Sequence, residues 1–170
     1  MSQYVADRPG RQIHLPKPEL ATTVGQLHGL LERYSIALLR ISLGLVFLGF
    51  GILKFFPGLS PAEDIAAATI ERLTFGVIAG HHAVLMTAVV ETFIGLTLVT
   101  GRFVRLGLVV LTGALVGIMS PLVLFTDQLF PHGPSLMGQY VVKDIILAAG
   151  AMVVAASALG SRLRPEDGED

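Results

Sequence analysis

Four stretches of the chain are almost unbroken in apolar character: Tyr34 to Phe56, His82 to Thr100, Phe103 to Phe125 and Gln139 to Gly160. Each is near the roughly 20 residues that a helix needs to cross a hydrocarbon layer of about 30 Å. In lipid only helices and closed barrels satisfy every backbone amide, and barrel strands would alternate polar and apolar at period two. No such alternation occurs, so the pattern predicts an all-α fold, a bundle of four transmembrane helices. The first connection, "PGLSPAEDIAAATIERLTFGVIAGHH", is too long for a plain turn. Ser60, Pro61 and Glu63 have the form of a capping box opening a short amphipathic helix, with Ala66, Ile70, Leu73 and Val77 on one face. That helix is expected to lie across the mouth of the bundle or on the membrane surface. Pro131, Gly133 and Pro134 predict an irregular second loop. "TTVGQLHGLLERYS" predicts a further short amphipathic helix leading into the first span.

Composition strengthens the membrane reading: 52% of residues are hydrophobic and 15% charged, with mean hydropathy +0.70. A soluble domain with a polar surface would not reach that balance. Residues 1–33 contain no apolar run of signal-peptide form and are expected to stay attached as a cytoplasmic segment, poorly ordered over the first ~15 residues. Residues 34–160 are the expected membrane domain, and 161–170 a solvated cytoplasmic tail. Arg8, Arg11, Lys17, Arg33, Arg102, Arg105, Arg162 and Arg164 fall on one side of the spans, against Arg72 alone on the other. The positive-inside rule then places both termini in the cytoplasm and makes the first long connection extracytoplasmic. Arg33, Arg102, Arg105, Arg162 and Arg164 are suited to anchoring that interface to anionic lipid. The chain has no cysteine, which excludes disulfides and thiolate metal sites. No basic stripe with interleaved aromatics points to nucleic acid.

The charges inside the spans carry the candidate chemistry. Arg40, Gly44, Phe47, Gly51 and Lys54 recur at intervals of 4, 3, 4 and 3 residues and share one helix face. Glu91, Gly95, Leu98 and Arg102 form a matching stripe, and Asp144, Ala148, Ala151, Ala155 and Ala158 a third; the third span offers Gly113, Gly117 and Pro121. Small residues at such spacing let membrane helices approach closely, so these stripes are the expected packing faces and their charges turn inward. An unpaired charge at a span centre costs about 2.5 to 3.5 kcal/mol on insertion scales. The expected polar site is therefore Arg40, Lys54, Glu91, Lys143 and Asp144, with Lys54 or Lys143 paired to Glu91 and Asp144 to the remaining cation or a loop amide. Arg40 is expected toward the opposite end of the bundle from Lys54.

Three segments carry a family resemblance: "LLRISLGLVFLGFGILKFFPG", "ETFIGLTLVTGRFVRLG" and "GQYVVKDIILAAGAM". Together they resemble the DoxX-like superfamily of small four-helix bacterial membrane proteins, and most closely its YkgB-type branch, although the first loop departs from the YkgB pattern. The resemblance implies a membrane subunit linked to quinone-coupled oxidation, to complexes with soluble redox partners, or to resistance against oxidants. Three readings of the buried charges stand open: a network that fixes helix register, a polar site for a quinone-like or small anionic ligand, and a path for protons or ions. A scaffold or accessory subunit with no ligand is the alternative to a ligand-binding one, and a transporter the second alternative. Phe47, Phe55 and Phe93, with Phe50 and Phe56, would line a quinone pocket or else pack against core and lipid. His81, His82 and His132 would hold a metal if their loops met, and are otherwise interfacial. No nucleophile, metal motif or phosphate loop marks a catalytic residue. The oligomeric state is not legible.

Overall fold

The computed structural model describes residues 18–160. Within them the chain is helical throughout its ordered elements: α1 (Pro18–Leu53), α2 (Glu63–Leu73), α3 (Gly80–Thr100), α4 (Val104–Met119), α5 (Pro121–Leu124), α6 (Thr126–Leu129) and α7 (Leu136–Ala158). Four segments, Thr23–Leu53, Gly80–Thr100, Val104–Leu124 and Leu136–Ala158, are long and apolar enough to cross a membrane. The protein is a multi-pass membrane protein built as an all-α four-helix bundle. By internal contacts it divides into units 1–35 and 36–170. In the first, Val24, Leu27, Leu30 and Leu31 are exposed. The short amphipathic helix predicted here to lead into the first span is continuous with it as the opening of α1. The expectations of poor order near the N-terminus and of a solvated tail over 161–170 lie outside the described residues.

Within 36–160, α1 and α3 run antiparallel at very close range because glycine removes the side chains between them. A Cβ on Gly95 would stand 2.5 Å from the Leu48 backbone nitrogen and 2.7 Å from its Cα; one on Gly51 would meet Thr92, and one on Gly44 would meet Val99 and Leu98. These are the predicted small-residue stripes, facing each other. The core around the contact holds Leu43, Phe47, Ile94, Leu98, Leu108, Leu111, Ala151 and Val154. α4 packs against both α3 and α7.

Three boundaries differ from the sequence reading. The span beginning at Phe103 breaks after Met119, because Pro121 has no N–H to continue the ladder; Ser120 donates its hydroxyl to the Gly117 carbonyl at 2.7 Å. α7 begins at Leu136 rather than Gln139, because the Ser135 side chain caps it by accepting from the Gly138 N–H at 3.0 Å. The capping box expected at Ser60 does not form. α2 starts at Glu63 with no side-chain cap, and the Glu63 carboxylate turns back to accept from the Gly58 N–H at 2.7 Å. A carboxylate is satisfied equally well by a loop amide, and here that bond closes the turn out of α1.

Candidate functional site

α1 ends at Leu53, opposite the middle of α3, and this early stop creates the site. Beyond that point α3 packs against α2 instead, which also touches α4 and α5. The inward face of α2 is Ala62, Ile65, Ala66, Thr69, Ile70 and Leu73, spaced as a helix face must be. Val77, predicted to belong to that face, lies past the end of α2 and is 84% exposed. Phe75 ends the helix with φ 53°, a left-handed backbone that glycine usually takes, and the Gly76 N–H reaches back to the Glu71 carbonyl at 2.8 Å.

Under α2 lies a cavity of about 500 Å³ walled by α1, α2, α3, α4 and α7. Its wall is apolar over most of its extent, with Phe47, Phe50, Val90, Met86, Val141 and Leu147 among the lining side chains. Into it come three charged groups. The Lys54 ammonium, on the first residue beyond α1, donates to Glu91 Oε2 at 2.7 Å. Lys54 is only 2% exposed and Glu91 7%. The Phe50 ring, one turn earlier, lies 5.6 Å from the same ammonium, within cation–π range. Asp144 is half-buried on the α7 wall. Among the described residues it has neither a hydrogen bond nor an ion partner, yet Glu91, Lys54 and Lys143 all lie within electrostatic reach of it.

The remaining candidates sit elsewhere. Lys143 is exposed, its ammonium 4.6 Å from the Tyr140 ring centroid, and it does not line the cavity. Neighbouring helix positions diverge by about 100°, so Lys143 and Asp144 could not share a direction. Arg40 belongs to the other end of the α1–α3 contact, where its guanidinium covers Gly101, the left-handed C-cap of α3. A cation there meets the negative end of the helix dipole. Of the three phenylalanines singled out, Phe47 is buried on the cavity wall, whereas Phe55 is 40% and Phe93 36% exposed and neither lines it. His81, His82 and His132 are exposed, and among the described residues no three His, Asp or Glu side chains gather where a metal could sit.

Phe50, also among the aromatic candidates, lines the cavity, and three further groups complete the site: Tyr140, Thr69 and Thr87. Tyr140 was within reach of the sequence, since it precedes Asp144 by four residues, one helical turn on the same face. The Thr69 hydroxyl donates to the Ile65 carbonyl at 2.5 Å and that of Thr87 to Ala83 at 2.7 Å, so both spend their protons on the helix backbone. A second, shallower hollow of about 750 Å³ lies between the end of α2 and Leu124 and Phe125; it is open and holds no buried charge.

No curated protein and no solved structure matches the chain significantly. The family model named DoxX matches residues 35–126, which take in residues 35–53 of α1, all of α2, α3, α4 and α5, and thus both members of the buried ion pair. With more than half its length matched in this way, the chain belongs to the DoxX family.

Proposed function

We propose that the protein is an inner-membrane subunit that holds a quinone or similar small lipophilic molecule beneath α2, in support of a redox or oxidative-stress complex. The observation that carries this reading is the coincidence of an apolar cavity of about 500 Å³ with a buried Lys54–Glu91 pair and a half-buried Asp144 on its wall. Sites for small molecules are of this kind: concave, largely apolar, with a few convergent polar groups. Membership of the DoxX family and the excess of Lys and Arg on one side of the spans support a bacterial inner-membrane location with both termini cytoplasmic. The "GQYVVKD" segment at the start of α7 supports a relation to the YkgB-type branch.

The test is native mass spectrometry of the protein extracted in mild detergent, with solvent extraction of whatever small molecule it retains. The reading expects a retained lipophilic compound that Asp144→Leu and the cavity-filling Gly113→Leu both displace from folded protein. A wild-type protein that arrives empty and shows no saturable binding of a short-chain quinone or its hydroquinone overturns it. The closed Lys54–Glu91 pair favours one rival, an accessory subunit whose charges only hold helices together. A stoichiometric protein partner with no small molecule is the outcome that rival expects.

A further inference from the structure

Resting on the reading of the cavity as a ligand site, we infer that it takes its ligand as a neutral hydrogen-bond donor, a hydroxyl-bearing aromatic of the phenol or hydroquinone class, with Asp144 as the acceptor. The argument is an accounting of the polar groups on the wall. One bond of 2.7 Å joins Lys54 to Glu91, and the ammonium keeps two further N–H donors on the same wall. The hydroxyl protons of Thr69 and Thr87 go to the carbonyls of Ile65 and Ala83, and the hydroxyl of Tyr140 belongs to a side chain 40% exposed at the rim. Asp144 is left with no hydrogen bond and no ion pair among the described residues. A carboxylate accepts hydrogen bonds at two oxygens and donates none when ionised. Half-buried in an apolar wall, it calls for a donor: a ligand that presents only carbonyl oxygens accepts from Lys54 but leaves Asp144 unmet, whereas a hydroxyl accepts from the one and donates to the other.

Charge balance decides between the two donor chemistries, a hydroxyl and a protonated amine. The ionisable groups in electrostatic reach of Asp144 are Glu91 and Lys54 on the cavity wall and Lys143 outside it. With Asp144 they make two cations and two anions, so a neutral ligand preserves the balance and a cationic one disturbs it in a medium where a net charge is costly. Phe47, Phe50, Ile65 and Leu147 offer the rest of the ligand an apolar and partly aromatic surround.

The experiment compares three probes on the wild-type protein in lipid nanodiscs under anaerobic conditions: trimethylhydroquinone, trimethylquinone and a lipophilic primary amine of similar size. The hydroquinone is expected to bind at least about tenfold more tightly than either of the others, the scale of one charge-assisted hydrogen bond. Asp144→Asn, close in size but with half the acceptor capacity and no charge, should bring the hydroquinone and quinone to within about threefold of each other. Quinone binding as tight as hydroquinone, tighter binding of the amine, or a ratio unmoved by Asp144→Asn overturns the inference while leaving a ligand site in place. Should Asp144→Asn fail to fold, the wild-type ratio alone decides. Saturable binding of none of the three removes the ligand site itself, and the inference with it.

Discussion

Replacing Glu91 by Gln tests the ion pair at its most exposed assumption, that the pair is dry. At 2.7 Å and an effective dielectric near 20, the attraction between Lys54 and Glu91 is about 6 kcal/mol. Most of this offsets the several kcal/mol needed to take each ion out of water, so the net contribution of the intact pair is small. Removing one member is different, because the lysine ammonium, with Lys54 2% exposed, is then a buried charge with the Phe50 ring and a neutral amide beside it and Asp144 only at longer range. Glu91→Gln and Lys54→Met should each cost about 3 to 5 kcal/mol. The double variant Lys54→Met with Glu91→Leu buries no charge and should recover most of that loss. The assay is reversible unfolding in mixed micelles by added SDS, read through circular dichroism, with all variants carried through one thermodynamic cycle. Single losses below about 1 kcal/mol, or a double variant whose loss is the sum of the two singles, would refute the claim of a buried, mutually dependent pair.

The remaining expectations follow from close packing. Gly95→Ala drives a Cβ against the Leu48 backbone, which cannot move aside as a side chain would, and should cost about 1 to 3 kcal/mol in the same assay. Gly49→Ala, with nothing within 4 Å of the added carbon, is the matched control and should be neutral or gain up to about 1 kcal/mol. Gly138→Ala places a Cβ 2.5 Å from the Leu129 carbonyl oxygen and should loosen the junction of α6 with α7, read as a lower melting temperature. Ser135→Ala removes the cap of α7 and should cost about 1 kcal/mol, with faster hydrogen exchange confined to the amides of Leu136, Met137 and Gly138.

The sequence made the stripes legible because helical spacing alone places Gly44, Gly51 and Lys54 on one face, and Glu91 and Gly95 on another. It also made legible that Glu91 needs a cation within the bundle. It left open which of Lys54 and Lys143 supplies it, since that depends on where α1 stops. α1 stops at Leu53 and Lys54 reaches Glu91, while Lys143 turns outward over Tyr140. The role of α2 was only half visible. Its amphipathic face was readable, but its register was not, because the Glu63 carboxylate closes onto Gly58 rather than capping the helix from Ser60. Spacing placed Phe47 on the inward stripe with Gly44 and Gly51, but it did not show that Phe55 and Phe93 stay off the cavity wall, since an inward and an outward phenylalanine differ in what packs on them.

The central claim is that Lys54 and Glu91 meet inside the membrane-spanning bundle. The chain has only three lysines, Lys17, Lys54 and Lys143, so the lysine ammonium signals of protein labelled with ¹⁵Nζ-lysine and ¹³Cδ-glutamate can be assigned by single substitution. Dipolar dephasing by solid-state NMR in lipid bilayers then measures the separation directly. The structure predicts a lysine nitrogen at hydrogen-bonding range of a glutamate carboxylate, 2.7 Å to its nearer oxygen, lost in Lys54→Met and retained in Lys143→Met. A Lys54 nitrogen with no glutamate carbon within dipolar reach, or dephasing that follows Lys143 instead, would contradict it.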